Sequence, residues 1–289
     1  MANKDSFTGI KNFKSQPLSF FLHILVSASA FFTIGILFAI IIYILIKGIP
    51  NLKPSLFALK YTTENCSMLP AIINTIIIVA ASLVIAVPIG VFSAIYLVEY
   101  AKRGNKIVSL IRITAETLAG IPSIVYGLFG YLLFVIKLKW SYSMPAGALT
   151  LAIMILPLIM RTTEEALKAV PDSYREGSFG LGAGKLRTVF YAVLPSAIPG
   201  ILAGVILGVG RIVGETAALL YTAGTVTKVF ENMTGAGRTL AVHMYCLLSE
   251  GLYVNQAYAT AVVLLIVVVL INTVSGIIAR KVGTKNGKI

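Results

Sequence analysis

The sequence predicts an all-α, polytopic membrane protein with six transmembrane helices and both termini in the cytoplasm. Three observations lead there. Of 289 residues, 57% are hydrophobic and 12% charged, about half the charge of a soluble domain. Six runs contain no Asp, Glu, Lys or Arg: residues 15–46, 65–98, 117–136, 140–160, 188–210 and 251–279. About 20 apolar residues cross a bilayer as a helix, so each run is long enough for one span, and the period-two pattern of barrel strands is absent. Third, the basic residues are asymmetric. Threading six spans from an inner N-terminus puts 16 of the 24 Lys and Arg on the inner side and 7 on the outer, with Arg211 inside a span. That bias fixes the orientation. The net charge of +13 is spread over loops rather than gathered on one face, so no nucleic-acid partner is expected; membrane lipid is.

Residues 1–17 read as a basic cytoplasmic tail ending at Pro17, with the membrane domain over 18–289. Lys4, Lys11 and Lys14 resemble the start of a signal peptide, but the apolar run that follows is too long for one. The first span, 18–46, is therefore expected to stay; His23 near its inner end reads as an interfacial residue. The second, 69–98, exceeds a perpendicular crossing and is expected to tilt or break near Pro88. The third, 107–136, carries Gly120-Ile121-Pro122 in its middle. Such a break exposes backbone groups, which membranes tolerate only against protein or a water-lined path. The fourth covers 144–160.

The inner loop 161–187 follows, with five of the basic residues. Thr162 with Glu165, and Ser173 with Glu176, fit capping boxes. The fourth helix should therefore run on, break at Pro171 and give way to a short cytosolic helix from about Ser173. Gly180, Gly182 and Gly184 before Lys185 do not make a phosphate-binding loop: Phe179 stands where the first glycine belongs and Leu186 where Ser or Thr belongs. No nucleotide site is legible, and neither are a metal-ligand cluster or a nucleophile motif, so the chain is not expected to be an enzyme.

The fifth span is expected as one helix within 188–227, broken near Pro195 and Pro199. Its stretch 200–224 is the most unusual in the chain. Arg211 and Glu215 are ionisable residues at membrane depth, which by default mark a functional site or a bound pair; four apart, they would share a helix face. Gly200, Gly204 and Gly208 recur at the same spacing and offer a face for close helix packing. On the outer side, Leu240, Met244, Leu247 and Leu248 suggest a surface-lying helix, and Cys66 and Cys246 are either two unrelated thiols or a disulfide. The sixth span covers 251–279, before a basic tail.

Glu176-Gly177-Ser178, Gly182 and Leu194-Pro195 resemble the EAA motif of ABC-importer permeases, Glu-Ala-Ala, three residues, Gly, nine residues, Ile, one residue, Leu-Pro. Glu176, Gly182, Leu194 and Pro195 match in register; Gly177, Ser178 and Ala192 depart from it. Arg161-Thr162-Thr163-Glu164-Glu165, Gly120 to Gly127 and Gly210-Arg211-Ile212-Val213-Gly214-Glu215-Thr216-Ala217 are similar to the PstA-type subunits of phosphate-specific permeases, a likeness covering most of residues 68–280. It implies a MetI-like type I importer fold in the bacterial or archaeal plasma (inner) membrane, with no cofactor on this chain, since ATP and Mg would sit on a separate ATPase. It also implies a second, PstC-like permease, a PstB-like ATPase homodimer and an extracytoplasmic, PstS-like phosphate-binding protein. The helix from Ser173 would be the coupling helix. Arg211, with Arg161, would supply positive charge to a phosphate path, Glu215 holding Arg211 while the path is empty; the plainer alternatives are a permanent Arg211–Glu215 ion pair or pairs to the partner subunit that only tie helices together, with Arg161 anchoring the inner interface. Sulfate, molybdate or tungstate, the sister PstC type and a non-transporting sensor are the competing readings.

Overall fold

A computed structural model describes residues 17–102, 104–230 and 235–286. The N-terminal tail before Pro17, with Lys4, Lys11 and Lys14, lies outside them, as do Arg103 and Lys288. Among the described residues the secondary structure is helical throughout, with no strand.

Helix α1 (Pro17–Gly48) is apolar along its whole length, and Phe31 and Phe32 are 78% and 69% exposed. Such a surface is tenable against lipid or a partner chain, not against water. Its C-terminal end packs where α11 (Val254–Asn286) begins: a Cβ on Gly48 would come within 2.5 Å of the Tyr258 carbonyl oxygen. Helix α2 (Leu69–Ile95) runs unbroken through Pro88, so of the tilt or break expected there the break is absent. It then widens into a π turn at Tyr96–Tyr100. Helices α3 (Lys106–Ala119) and α4 (Ser123–Gly130, extended by a π segment to Lys137) form the third span, bent by 102° at residues 120–122. Pro122 supplies the reason, because a residue before proline is pushed out of the helical region. With that bent pair counted once, six candidate spans are present.

Helix α5 (Met144–Lys168) carries the fourth span straight into the inner loop. Thr162 does not cap there; its hydroxyl donates back to the Leu158 and Ile159 carbonyls. After Pro171 comes α6 (Asp172–Gly180), which starts one residue before Ser173 and stops short of Gly184, with no side-chain cap bond from Ser173. Gly182 follows at φ +80°, a left-handed position that favours glycine. A single turn, α7 (Lys185–Thr188), leads through a π segment at Val189–Val193 into α8 (Leu194–Val213). The fifth span is continuous through Pro195 and Pro199; its break lies instead at Gly214–Thr216, ahead of the short α9 (Ala217–Thr222). Helix α10 (Leu240–Ser249) buries Leu240 and Leu247 against the bundle and leaves Leu248 exposed. Cys66 and Cys246 are separate thiols.

The largest core cluster joins α2, α5, α8 and α9 through residues such as Ile78, Leu151, Ile155, Ile212 and Leu219. A second cluster gathers Ile95, Leu97, Leu167, Val170, Val189 and Val193 at the basic end. It seats the loop that carries α6.

Candidate functional site

Two places collect unusual chemistry: the junction of the two broken helices, and the basic end beneath α6.

At the junction, α4 and α9 cross closely. A Cβ on Gly127 would lie 2.8 Å from the Ala218 Cα, so only glycine allows the approach. The Tyr126 hydroxyl donates to the Leu118 carbonyl at 2.7 Å, closing the α3–α4 bend across Gly120-Ile121-Pro122. Arg211 stands half-buried in the last turn of α8. A cation there complements the negative end of the helix dipole.

Glu215 does not face Arg211 along one helix. Helix α8 ends at Val213, and the buried Glu215 carboxylate turns forward to accept the Ala218 N–H at 3.1 Å. It satisfies a donor that the start of α9 would otherwise leave unpaired. The expected Arg211–Glu215 pair is therefore corrected: among the described residues Arg211 forms no ion pair, because the break redirects Glu215. The i, i+4 rule presupposes an unbroken helix.

Arg161 belongs to a different level. It pairs with Glu165 at 3.2 Å and Glu116 at 3.7 Å, bridging α5 and α3, and is exposed. Gly204 packs on the neighbouring Thr162, and Arg211 lies seven residues further along α8, about 10 Å at 1.5 Å per residue. Arg161 and Arg211 thus sit at two depths on adjoining helices rather than in one cluster.

The glycine face divides. A Cβ on Gly200 would lie 2.6 Å from that of Ala166, and one on Gly204 2.6 Å from that of Thr162, so both set the α5–α8 approach. Gly208 has ordinary space, its nearest neighbours Ile155 and Ile159 being 3.9 Å away.

At the basic end, α6 buries no residue of its own. It is held by Arg175, whose Nη2 meets Glu99 at 2.7 Å while its Nε donates to the same carboxylate at 3.1 Å. Nη1 also donates to the Val170 carbonyl at 2.9 Å and to Asp172 at 3.2 Å, and Nη2 to the Leu167 carbonyl at 3.0 Å. The Arg175 and Glu99 side chains are only 17% and 7% exposed. Sequence reasoning missed this clamp: Glu99 and Arg175 are 76 residues apart, and only α6 folding back under the end of α2 unites them. Glu176, the next residue of α6, is exposed, as are Tyr174, Phe179 and, just beyond the helix, Leu181 at 91%. Leu194 packs against the second core cluster, and Pro195, which cannot donate to a preceding carbonyl, follows the widened turn at Val189–Val193.

The other end of the bundle is organised by Asn74, which was also missed. Fully buried, it donates to the Lys228 and Arg238 carbonyls and accepts from the Phe230 N–H. Thr75 accepts the Leu240 N–H at 2.9 Å. Arg238 is buried over the Tyr61 ring, 4.8 Å from its centroid. No group of His, Cys, Asp and Glu that could hold a metal occurs among the described residues.

Residues 86–286 match the family described as binding-protein-dependent transport system inner membrane component. The chain is 34% identical over 273 residues to the probable ABC transporter permease protein YqgI of Bacillus subtilis, covering 86% of this chain and 90% of that one. It is 35% identical over 248 residues to the phosphate transport system permease protein PstA of Pasteurella multocida, covering 84% and 88%. Among solved structures, a chain of a bacterial alginate ABC transporter superposes with TM-score 0.68 at 13% identity, covering 94% of this chain and 98% of that one. One from the MetNI methionine ABC transporter gives 0.57 at 21%, covering 74% and 94%. At such identities these two speak for the fold.

Proposed function

Because the chain belongs to the family of inner-membrane components of binding-protein-dependent transport systems, and so is a multi-pass permease subunit of an ABC importer, we propose that it serves a phosphate importer as its PstA-type subunit. In this reading it pairs with a second, PstC-like permease, receives inorganic phosphate from an extracytoplasmic binding protein and is driven by a separate ATPase dimer. The phosphate transport permeases among its relatives support the substrate. The observation that carries the mechanism is Arg211: a half-buried guanidinium, without a carboxylate partner among the described residues, at the meeting point of two broken helices.

A guanidinium fork matches the oxygens of phosphate and stays charged when desolvated. With Glu215 committed to α9, the positive charge of Arg211 is available to an anion shedding its hydration. Arg161 offers the next charge about 10 Å further in, but its Glu116 and Glu165 partners weaken its hold. That gradient suits a path, since conduction requires sites weak enough to leave. At the cytosolic end, α6 presents Glu176 and the apolar side chains Tyr174, Phe179 and Leu181 as the surface on which an ATPase would sit. Gly182 ends that helix, while Leu194 and Pro195 tie it to α8 and so to Arg211.

Phosphate uptake by the assembled transporter tests the reading. Arg211→Gln should abolish uptake, and Arg211→Lys should cut it severely, with complex assembly unchanged. Normal uptake in both would remove Arg211 from the path. ATP-dependent uptake of sulfate or molybdate in place of phosphate would reassign the substrate.

A further inference from the structure

Two cavities beneath α3 share a wall and differ in chemistry. The first, about 790 Å³, opens at the basic end between residues 97–112 and the start of α6. Five cations line it, Lys102, Lys106, Arg112, Lys168 and Arg175, against the carboxylates of Glu99 and Asp172. Arg175 is taken by those two acids, and Arg112 and Lys168 both pair with Glu164. Lys102 and Lys106 have no carboxylate within ion-pair distance among the described residues, so the cavity keeps an uncompensated positive charge.

The second cavity, about 680 Å³, lies between α2, α3 and α5 and shares Leu97 with the first. Apart from Ser93, Thr114 and the Tyr96 hydroxyl, its lining is apolar. Phe92, Tyr96 and Leu110 are 59%, 57% and 63% exposed, so it opens sideways from the bundle. Both volumes fall in the usual range of small-molecule sites, about 300–1,000 Å³.

We propose that this pair of cavities is a binding site for an anionic phospholipid of the inner leaflet, its phosphate beside Lys102 and Lys106 and an acyl chain in the crevice walled by Phe92, Leu110 and Ile111. A free anion would use the basic cavity and leave the crevice empty; a neutral lipid would use the crevice and leave the two lysines uncompensated. An anionic lipid satisfies both. The site does not depend on which substrate the transporter carries. A lipid there would wedge α3 against α2 and α5 close to the Arg175–Glu99 clamp.

The test uses the full chain with its partner subunits, reconstituted in equal parts phosphatidylglycerol and phosphatidylcholine, then re-extracted in mild detergent for mass spectrometry of retained lipid. Phosphatidylglycerol should be enriched over phosphatidylcholine. Each surface lysine is worth about fivefold towards an anionic lipid, so Lys102→Gln with Lys106→Gln should lower the enrichment roughly 25-fold at most, towards that of bulk lipid. Ile111→Trp, which fills the crevice and keeps the charges, should lower retention as well. Equal retention of the two lipids, or enrichment that survives the double lysine change, would overturn the proposal. So would displacement of phosphatidylglycerol by inorganic phosphate with Ile111→Trp silent, which would assign the basic cavity to a free anion.

Discussion

Removing the Arg175 guanidinium is expected to release the cytosolic helix α6 from the membrane domain while leaving that domain folded. No residue of α6 is fully buried, so its position depends chiefly on the five hydrogen bonds that Arg175 makes to Glu99, Asp172 and the Val170 and Leu167 carbonyls, beside one Ser178–Thr188 hydroxyl contact at 2.9 Å. Arg175→Ala strands the buried Glu99 carboxylate and removes the donor to the Val170 carbonyl, while the Leu167 carbonyl keeps the Val170 N–H at 3.4 Å. Breaking one side of a buried ion pair costs about 3–5 kcal/mol. Taken at the lower end, because 17% of the Arg175 side chain is exposed, about 3 kcal/mol corresponds to roughly a hundredfold increase in the open population of α6. Arg175→Lys keeps the charge but loses the fork and should fall between. The direct assay is amide hydrogen exchange over residues 172–180 in the assembled complex: exchange should accelerate about a hundredfold, with α2 and α5 amides unchanged. Under the proposed coupling role, ATP hydrolysis should persist while uptake is lost. Unaltered exchange over α6 in Arg175→Ala would refute the clamp, and acceleration spread equally through α5 would mean that Arg175 supports the whole bundle instead.

Gly204→Ala should lower the thermal stability of the detergent-solubilised protein by about 1–3 kcal/mol, since its methyl must displace Thr162, whereas Gly208→Ala should be neutral or stabilise by up to about 1 kcal/mol through helix propensity; equal effects would contradict the packing. His243 is wholly buried in α10, and burial first, then the Arg238 charge, lowers its pKa from 6.5 to about 3. The unfolded chain therefore takes up a proton that the folded one refuses, so stability should fall as pH drops from about 6.5 towards 3, by at most about 1.4 kcal/mol per pH unit; denaturation of His243→Phe across that range should lack this slope. Glu176→Lys should leave both the permease pair and α6 intact but reduce ATPase stimulation; unchanged stimulation would take Glu176 out of the coupling surface.

Much of the architecture was legible in one dimension because the bilayer imposes a one-dimensional rule. A span must be apolar for about 20 residues, and that pattern gave the six spans. The Gly120-Ile121-Pro122 break was legible because proline acts on its immediate neighbour, as was the short helix after Pro171. Pro88, Pro195 and Pro199 were misleading. Helices accept proline in membranes where neighbouring groups or a widened turn re-satisfy the backbone, and a widened π segment precedes Pro195 here. The two capping boxes were misread for a related reason: Thr162 lies inside a helix that continues, so no free N–H awaits its hydroxyl.

The candidate site divides along the same line. Sequence alone determined that Arg211 and Glu215 stand four apart in an apolar stretch, that the loop before it has the spacing of the EAA motif and that glycines recur on α8, since each is a matter of residue type and spacing. Tertiary structure decided whom those residues meet. The break at Gly214–Thr216 sends Glu215 to α9 and leaves Arg211 without a carboxylate among the described residues, and α6 folds back so that Arg175 reaches Glu99. The path of α5 makes Gly200 and Gly204 tight while Gly208 has room. Spacing fixes a partner only while the helix is unbroken; across breaks and between helices, the partner depends on how the elements pack.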